Sequence, residues 1–199
     1  MSLAYNELKK GMALDIDGKP CILLEYSRSK KDRGAPVIRL KYKEIRTEKV
    51  LVKSYSGYDI KIEAANIQRV SAIYLYSDQD NFVFMNNSNY EQINLSKEIL
   101  GDRINYLVDQ LQIDLLYFEN NPISIELPNF VDMKVVLTDN AVKGDTTQGA
   151  TKKATLQTGI IINVPLFVNN DDLIKIDTRT SEYIGRVWKW KIFLKYLVY

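Results

Sequence analysis

Nine consecutive residues, Ser27-Arg28-Ser29-Lys30-Lys31-Asp32-Arg33-Gly34-Ala35, hold four cations, one anion and no large apolar side chain. A stretch of this kind cannot bury itself, so it reads as an exposed hairpin loop. Its chemistry is phosphate recognition. Arginine offers a permanently charged planar fork and lysine a mobile point charge, and each phosphate neutralised adds salt-dependent affinity for a polyanion. A second polar stretch runs Lys143-Gly144-Asp145-Thr146-Thr147-Gln148-Gly149-Ala150-Thr151-Lys152-Lys153, with no hydrophobic period. Gly144 and Gly149 permit tight turns there, and exposed amides could meet phosphate. An ordinary long β-loop is the other reading of that segment.

Histidine is absent from the 199 residues. The commonest general base and metal ligand is therefore missing, which excludes Ser-His-Asp and Cys-His catalysis and the usual Cys/His zinc sites. Asp78 and Asp80 flank one residue and read as a turn, not a metal site. No cofactor, metal or enzymatic constellation is expected. Cys21 is the one cysteine, so no internal disulfide can form and the cytoplasm is the expected compartment. No apolar run approaches the roughly 18 residues that span a bilayer, and residues 1–10 lack the apolar stretch of a signal peptide.

The segments that must carry these loops read as strands. Residues 12–16 and 20–26 are apolar and separated by Asp17-Gly18, a hairpin signal. Residues 36–43 alternate, with Val37, Arg39, Lys41 and Lys43 on one face and Ile38, Leu40 and Tyr42 on the other, the period of a half-buried strand. Residues 47–55 form a further strand. Short strands at this spacing predict a small SH3-like barrel. Beyond it, 70–77 and 81–86 read as strands joined by Asp78-Gln79-Asp80. Residues 97–112 read as a helix, with Ser96 at its N-cap and Ile99, Leu100, Ile104, Leu107, Val108 and Leu111 at helical spacing. Strands follow near 113–118 and 122–127, then near 130–138, 159–164 and 172–177 after Leu127-Pro128-Asn129. Tyr74, Tyr76, Phe82 and Phe84 read as packing residues in preference to base-stacking ones.

The net charge of +2 conceals a partition. Residues 1–67 carry 14 cations against 9 anions, 68–128 carry 3 against 9, and 129–199 carry 10 against 7. A basic–acidic–basic series fits three modules whose ends face a polyanion.

Several ordered segments resemble the elongation factor P family. They are Leu8-Lys9-Lys10-Gly11-Met12, Phe82-Val83-Phe84-Met85, Tyr90-Glu91-Gln92, Leu127-Pro128-Asn129-Phe130-Val131 and Val142-Lys143-Gly144-Asp145-Thr146. Two longer stretches, 152–168 and 176–183, complete the match. The resemblance implies an all-β chain of three small barrels in tandem: an SH3-like, KOW-type domain over 1–67, then OB-folds over 68–128, with one short helix, and over 129–187. Residues 188–199 form an extension.

The family's role, by the same resemblance, is ribosome binding beside a prolyl peptidyl-tRNA, promoting peptide-bond formation at polyproline stalls. The factor would act as a monomer, without a membrane. Arg33 falls at the loop tip when the chain is aligned on Arg39 and Lys41; a shifted alignment would place Lys31 there. Arg28, Lys30, Lys31, Arg33 and Gly34 would contact tRNA. Lys143, Gly144, Asp145, Thr146, Gly149 and Lys152 would face mRNA or tRNA. An arginine tip rules out lysine-type extensions and leaves rhamnosylation by a glycosyltransferase, or a bare guanidinium.

Three departures stand out. Lys31-Asp32 replaces the usual Pro-Gly before the tip, Lys153 stands where proline is usual, and Asp171 stands where glycine is expected. The aromatic, cationic segment 188–199 has no counterpart in the family, and a membrane surface, RNA or an extra strand would each suit it. Two other readings of function remain at this point: a paralogue with another ribosomal task, and a generic single-strand RNA-binding OB protein.

Overall fold

The computed structural model describes residues 2–29, 35–58, 60–139 and 150–187. Its described elements are sixteen strands, one short α-helix and two 3-10 helices, with the strands arranged in three antiparallel sheets. By contact density the chain divides into two compact units. One comprises the residues through Ala72 together with Tyr76–Gly101 and Asp114–Glu126; the other comprises Ile73–Leu75, Asp102–Ile113 and the residues from Leu127 onward.

The first sheet contains β1 (Ser2–Leu3), β2 (Ala13–Ile16), β3 (Lys19–Ser29), β4 (Val37–Glu44), β5 (Val50–Ser56) and β6 (Ile62–Ala64), in the order β1-β6-β2-β3-β4-β5. Asp17 and Gly18 both take positive φ, 58° and 76°, and join β2 to β3 with Ile16 opposite Lys19. This is the two-residue turn whose twist matches the flanking strands. The alternation in β4 holds: Ile38, Leu40 and Tyr42 point inward and are buried. They close on Leu3, Leu8, Leu14, Ile16, Cys21, Leu23 and Ile62. Cys21 lies in that core, and burial, then the neighbouring Glu44 carboxylate, pushes its thiol up to about 11. It is a packing residue and not a nucleophile. β5 starts at Val50, later than the expected 47, because Glu44–Lys49 forms a turn with Glu48 at φ 58°.

The second sheet contains β7 (Ile67–Asp78), β8 (Asn81–Asn86), β9 (Gln92–Ser96), β10 (Gln112–Phe118) and β11 (Asn121–Glu126), in the order β11-β10-β7-β8-β9. Gln79, at φ 53°, turns β7 into β8. No group of carboxylates suited to a metal ion occurs among the described residues. Tyr74 and Phe84 are buried, but Tyr76 is half exposed and does not pack in the core.

The helix expected over 97–112 is largely absent. The helix α1 (Lys97–Leu100) is a single turn, followed by a 3-10 helix over Gly101–Tyr106. Gly101 ends it at φ 54°, ψ −137°, a conformation open essentially to glycine alone. The apolar residues that mimicked helical spacing are buried another way. Tyr106 enters the core of the second unit, with Val108 and Leu111 packed on it, and Gln112 already begins β10. Ser96 does occupy the N-cap, without a side-chain cap bond to the backbone.

The third sheet contains β12 (Phe130–Thr138), β13 (Thr151–Leu156), β14 (Ile161–Pro165), β15 (Leu173–Asp177) and β16 (Glu182–Arg186), in the order β14-β13-β12-β15-β16. The two outer strands, β14 and β16, also lie against each other, so the sheet curls toward closure. Inward residues Val131, Met133 and Val135 meet Ala154, Leu156, Ile162, Val164, Ile174 and Ile176. The strands β1, β6, β9, β13 and β16 are additions to those read from sequence; most are short or lack a strict alternation.

Asp171 takes φ 67°, the left-handed conformation for which glycine is suited. Its carboxylate meets Lys134 Nζ at 2.7 Å, an exposed pair. Asp171→Gly relieves about 1 kcal/mol of backbone cost. It forfeits an exposed ion pair worth about 0–1 kcal/mol and frees the unfolded chain. Urea unfolding should therefore show a net change within about 1 kcal/mol. Asp171→Val keeps the strain, adds β-branching and loses the pair, so it should cost about 1–3 kcal/mol.

Candidate nucleic-acid interface

β3 and β4 form the longest hairpin of the first sheet. Their register runs Tyr26↔Leu40, Ser27↔Arg39, Arg28↔Ile38 and Ser29↔Val37. The exposed loop expected over 27–35 is therefore shorter at its start. Ser27, Arg28 and Ser29 belong to β3, because the ladder continues to Val37 before the chain must reverse. Lys30, Lys31, Arg33 and Gly34 lie outside the described residues; the described strands fix where the chain leaves (Ser29) and returns (Ala35).

Charge along this hairpin is divided. Four lysines of this sheet are paired: Lys41 with Glu25 at 3.5 Å, Lys43 with Glu48 at 3.3 Å, Lys19 with Glu44 at 3.5 Å, and Lys53 with Asp17 at 2.6 Å. Toward the reversal, Arg28 and Arg39 are exposed, and among the described residues neither is paired with a carboxylate. Apart from Lys19–Glu44, whose carboxylate is buried, these are exposed pairs worth little to stability, about 0–1 kcal/mol each. Their effect here is on the field: those four lysines are neutralised, while exposed Arg28 and Arg39, like Arg46 and Lys49 at the other end of β4, pair with no carboxylate among the described residues and would attract a phosphate backbone.

Among the described residues, Arg28 meets an aromatic ring. Its guanidinium carbon lies 5.6 Å from the centroid of the Tyr5 ring. Tyr5 in turn meets Tyr26 edge to face, with centroids 5.5 Å apart. Sequence reading missed Tyr5, since nothing local ties the 3-10 helix Tyr5–Glu7 to the end of β3.

The second loop leaves β12 at Thr138 and returns at β13. Lys143, Gly144, Asp145, Thr146 and Gly149 lie outside the described residues. Lys152, expected in that loop, stands instead within β13 opposite Val164. Its ammonium donates to Thr138 Oγ1 at 3.4 Å, while Asn170 Oδ1 accepts from Thr138 N–H at 2.8 Å. It braces the base of the loop. The strand extends to Thr151 because Ala154 and Leu156 are needed in the core, and pairing with β14 carries the ladder onward.

The segment 176–183 is architectural. Asp177 accepts from the Arg179 backbone N–H at 2.9 Å and from its guanidinium at 2.5 and 3.0 Å. Thr178 Oγ1–H donates to Pro128 O at 2.8 Å, and Ser181 Oγ meets Tyr106 OH at 2.5 Å. These bonds close the β15–β16 turn and tie it to the start of β12. The Arg179 guanidinium, then backbone N–H donors, hold the Asp177 carboxyl at about 2, below its ordinary 3.8. A depressed carboxylate stabilises the fold above its unfolded value, and that contribution is lost as pH falls through the folded one. The melting temperature should hold down to about pH 4 and drop between about pH 4 and pH 2. Asp177→Asn should lower it at neutral pH and flatten that acid limb, as scanning calorimetry across pH would read.

Three family descriptions match the chain in sequence order. The elongation factor P KOW-like domain covers residues 4–60, its OB domain 67–125, and its C-terminal domain 131–186. The chain belongs to the elongation factor P family. Relatives match over almost their whole length. Elongation factor P of Thermodesulfovibrio yellowstonii is 39% identical over 185 residues, covering 93% of this chain and 98% of that one. That of Moorella thermoacetica is 40% identical over 92% of this chain and 99% of its own. That of Desulfotalea psychrophila is 41% identical over 93% and 98%. The chain is thus a translation factor, associated with the ribosome and not an enzyme. Its all-β barrels are of the KOW-like and OB types. Among the described residues no helix is long and apolar enough to cross a membrane.

Proposed function

We propose that this chain binds the ribosome next to a peptidyl-prolyl-tRNA and speeds peptide-bond formation at consecutive prolines. The observation that carries this reading is the β3–β4 hairpin, where Lys41 and Lys43 are paired while exposed Arg28 and Arg39 meet no carboxylate among the described residues. Proline is a slow donor and acceptor because its ring restricts the geometry of attack. A factor that holds the tRNA acceptor end in a reactive arrangement lowers that barrier by position alone. It needs cations for phosphates and 2′-hydroxyls, and no general base, which suits a chain without histidine.

In this reading Arg33 is the tip that reaches the CCA end. Arg28, Lys30, Lys31 and Gly34 support it, and the 143–152 segment meets mRNA or tRNA. Two states of Arg33 are compatible with its chemistry, a bare guanidinium and a rhamnosylated one made by a glycosyltransferase. A deoxyhexose increment in the intact mass of protein from the native host distinguishes them. The domain limits 1–67, 68–128 and 129–187 belong to the same proposal.

Ribosome profiling of a deletion strain tests the function. Ribosomes should accumulate at runs of prolines and clear when the gene is restored. Accumulation at other sequences would assign the factor a different ribosomal task.

A further inference from the structure

We infer that the aromatic pair Tyr5–Tyr26, through the Tyr5 ring, holds the Arg28 guanidinium as a preformed phosphate site at the root of the tip hairpin. The inference rests on the RNA-binding reading above and names the residues that organise it. Arg28 and Tyr26 are two apart in β3 and so share a face of the strand. Tyr5 bridges them, 5.6 Å from the Arg28 guanidinium carbon and 5.5 Å from the Tyr26 centroid.

The pair is anchored on both sides. Tyr5 and Tyr26 both pack against the core of the first sheet. The short helix bearing Tyr5 is flanked by buried Leu3 and Leu8. Its one acidic residue, Glu7, is already engaged: Ala4 N–H donates to Glu7 Oε2 at 2.6 Å. Tyr26 pairs across the ladder with Leu40, which is fully buried.

A cation held against a ring is attracted through the ring's quadrupole, and this uses none of its N–H donors. Among the described residues no carboxylate pairs with Arg28, so its planar fork is available to an anion. A free arginine side chain loses much rotamer freedom on binding. One already held against tyrosine loses less, and the saving is realised as affinity. The ligand class is an RNA phosphate, the charge that a guanidinium fork matches bidentately.

Affinity for ribosomes carrying prolyl-tRNA in the P site, titrated across salt concentrations, tests this. Arg28→Ala should weaken binding several-fold and reduce the log–log salt slope by about one. Tyr5→Leu should weaken binding several-fold at every salt with the slope unchanged, because the charge remains. Tyr5→Phe keeps the ring and should bind like the parent. The Tyr5→Leu, Arg28→Ala double variant should be no weaker than Arg28→Ala alone. Melting curves of the Arg28→Ala and Tyr5→Phe variants should match the parent, so that a folding defect does not imitate the effect. Parent-like binding by Tyr5→Leu, or additive losses in the double variant, would overturn the inference. A parent protein that binds with these dependences yet leaves the peptidyl-transfer rate unchanged would instead overturn the proposed function.

Discussion

Arg33→Ala should slow proline-dependent peptide-bond formation by about 10- to 100-fold relative to the parent factor, with the melting temperature unchanged. The size follows from the chemistry assigned to the tip. A hydrogen bond to a charged group contributes about 1.5–3 kcal/mol, and about 1.4 kcal/mol is tenfold in rate. Stability should not change, because the described β3–β4 ladder extends to Ser29 and Val37 and the core of this sheet draws on Ile38 and Leu40. Arg33→Lys should recover part of the loss, since it restores the charge without the planar fork. A stalling reporter with and without a proline run reads the effect, and only the proline reporter should respond. If Lys31 were the tip, Lys31→Ala would show the large loss and Arg33→Ala a small one.

Leu40→Ala should act in the opposite way, destabilising the protein by about 2–5 kcal/mol through the cavity it leaves. Leu40 is fully buried, midway along β4, opposite Tyr26 on one neighbouring strand and Lys53 on the other. Its loss removes contacts from the core that holds the hairpin straight and from the ladder position next to the Tyr5–Tyr26 pair. Activity should therefore fall steeply with temperature and recover on cooling, a pattern the tip substitution does not produce. Chemical denaturation followed by far-ultraviolet circular dichroism gives the stability change directly.

These two substitutions also mark what was readable from sequence. Alternation at Ile38, Leu40 and Tyr42, and the Asp17-Gly18 turn, announced the first hairpins because strand period and turn chemistry are local properties. The charge of the basic segment was equally plain. Its pairing was not. Lys41 and Glu25, or Lys53 and Asp17, meet only once the register is set, so which lysines are neutralised is a product of the fold. Tyr5 reaches Arg28 for the same reason.

The helix over 97–112 failed for an instructive reason. Apolar residues three and four apart fit a helix, but they also fit a 3-10 turn followed by an extended segment when two different cores need them. Gly101 was the warning, because its φ of 54° with ψ of −137° is a break that composition alone does not reveal. The polarity of Thr151-Lys152-Lys153 predicts a loop at Lys152; pairing with β14 outweighs that local preference. Asp171 shows the reverse case. A departure visible in sequence became interpretable only when the backbone proved to be left-handed there.

The most direct test is a rapid-quench measurement of peptidyl transfer on ribosomes holding a Pro-Pro peptidyl-tRNA with prolyl-tRNA in the A site. Adding the purified factor should raise the rate well above the factor-free value, and should leave transfer from a non-prolyl donor to a non-prolyl acceptor unchanged. Equal rates with and without the factor on the proline substrate, or equal acceleration of both substrates, would contradict an arginine-tipped hairpin that works by positioning prolyl-tRNA.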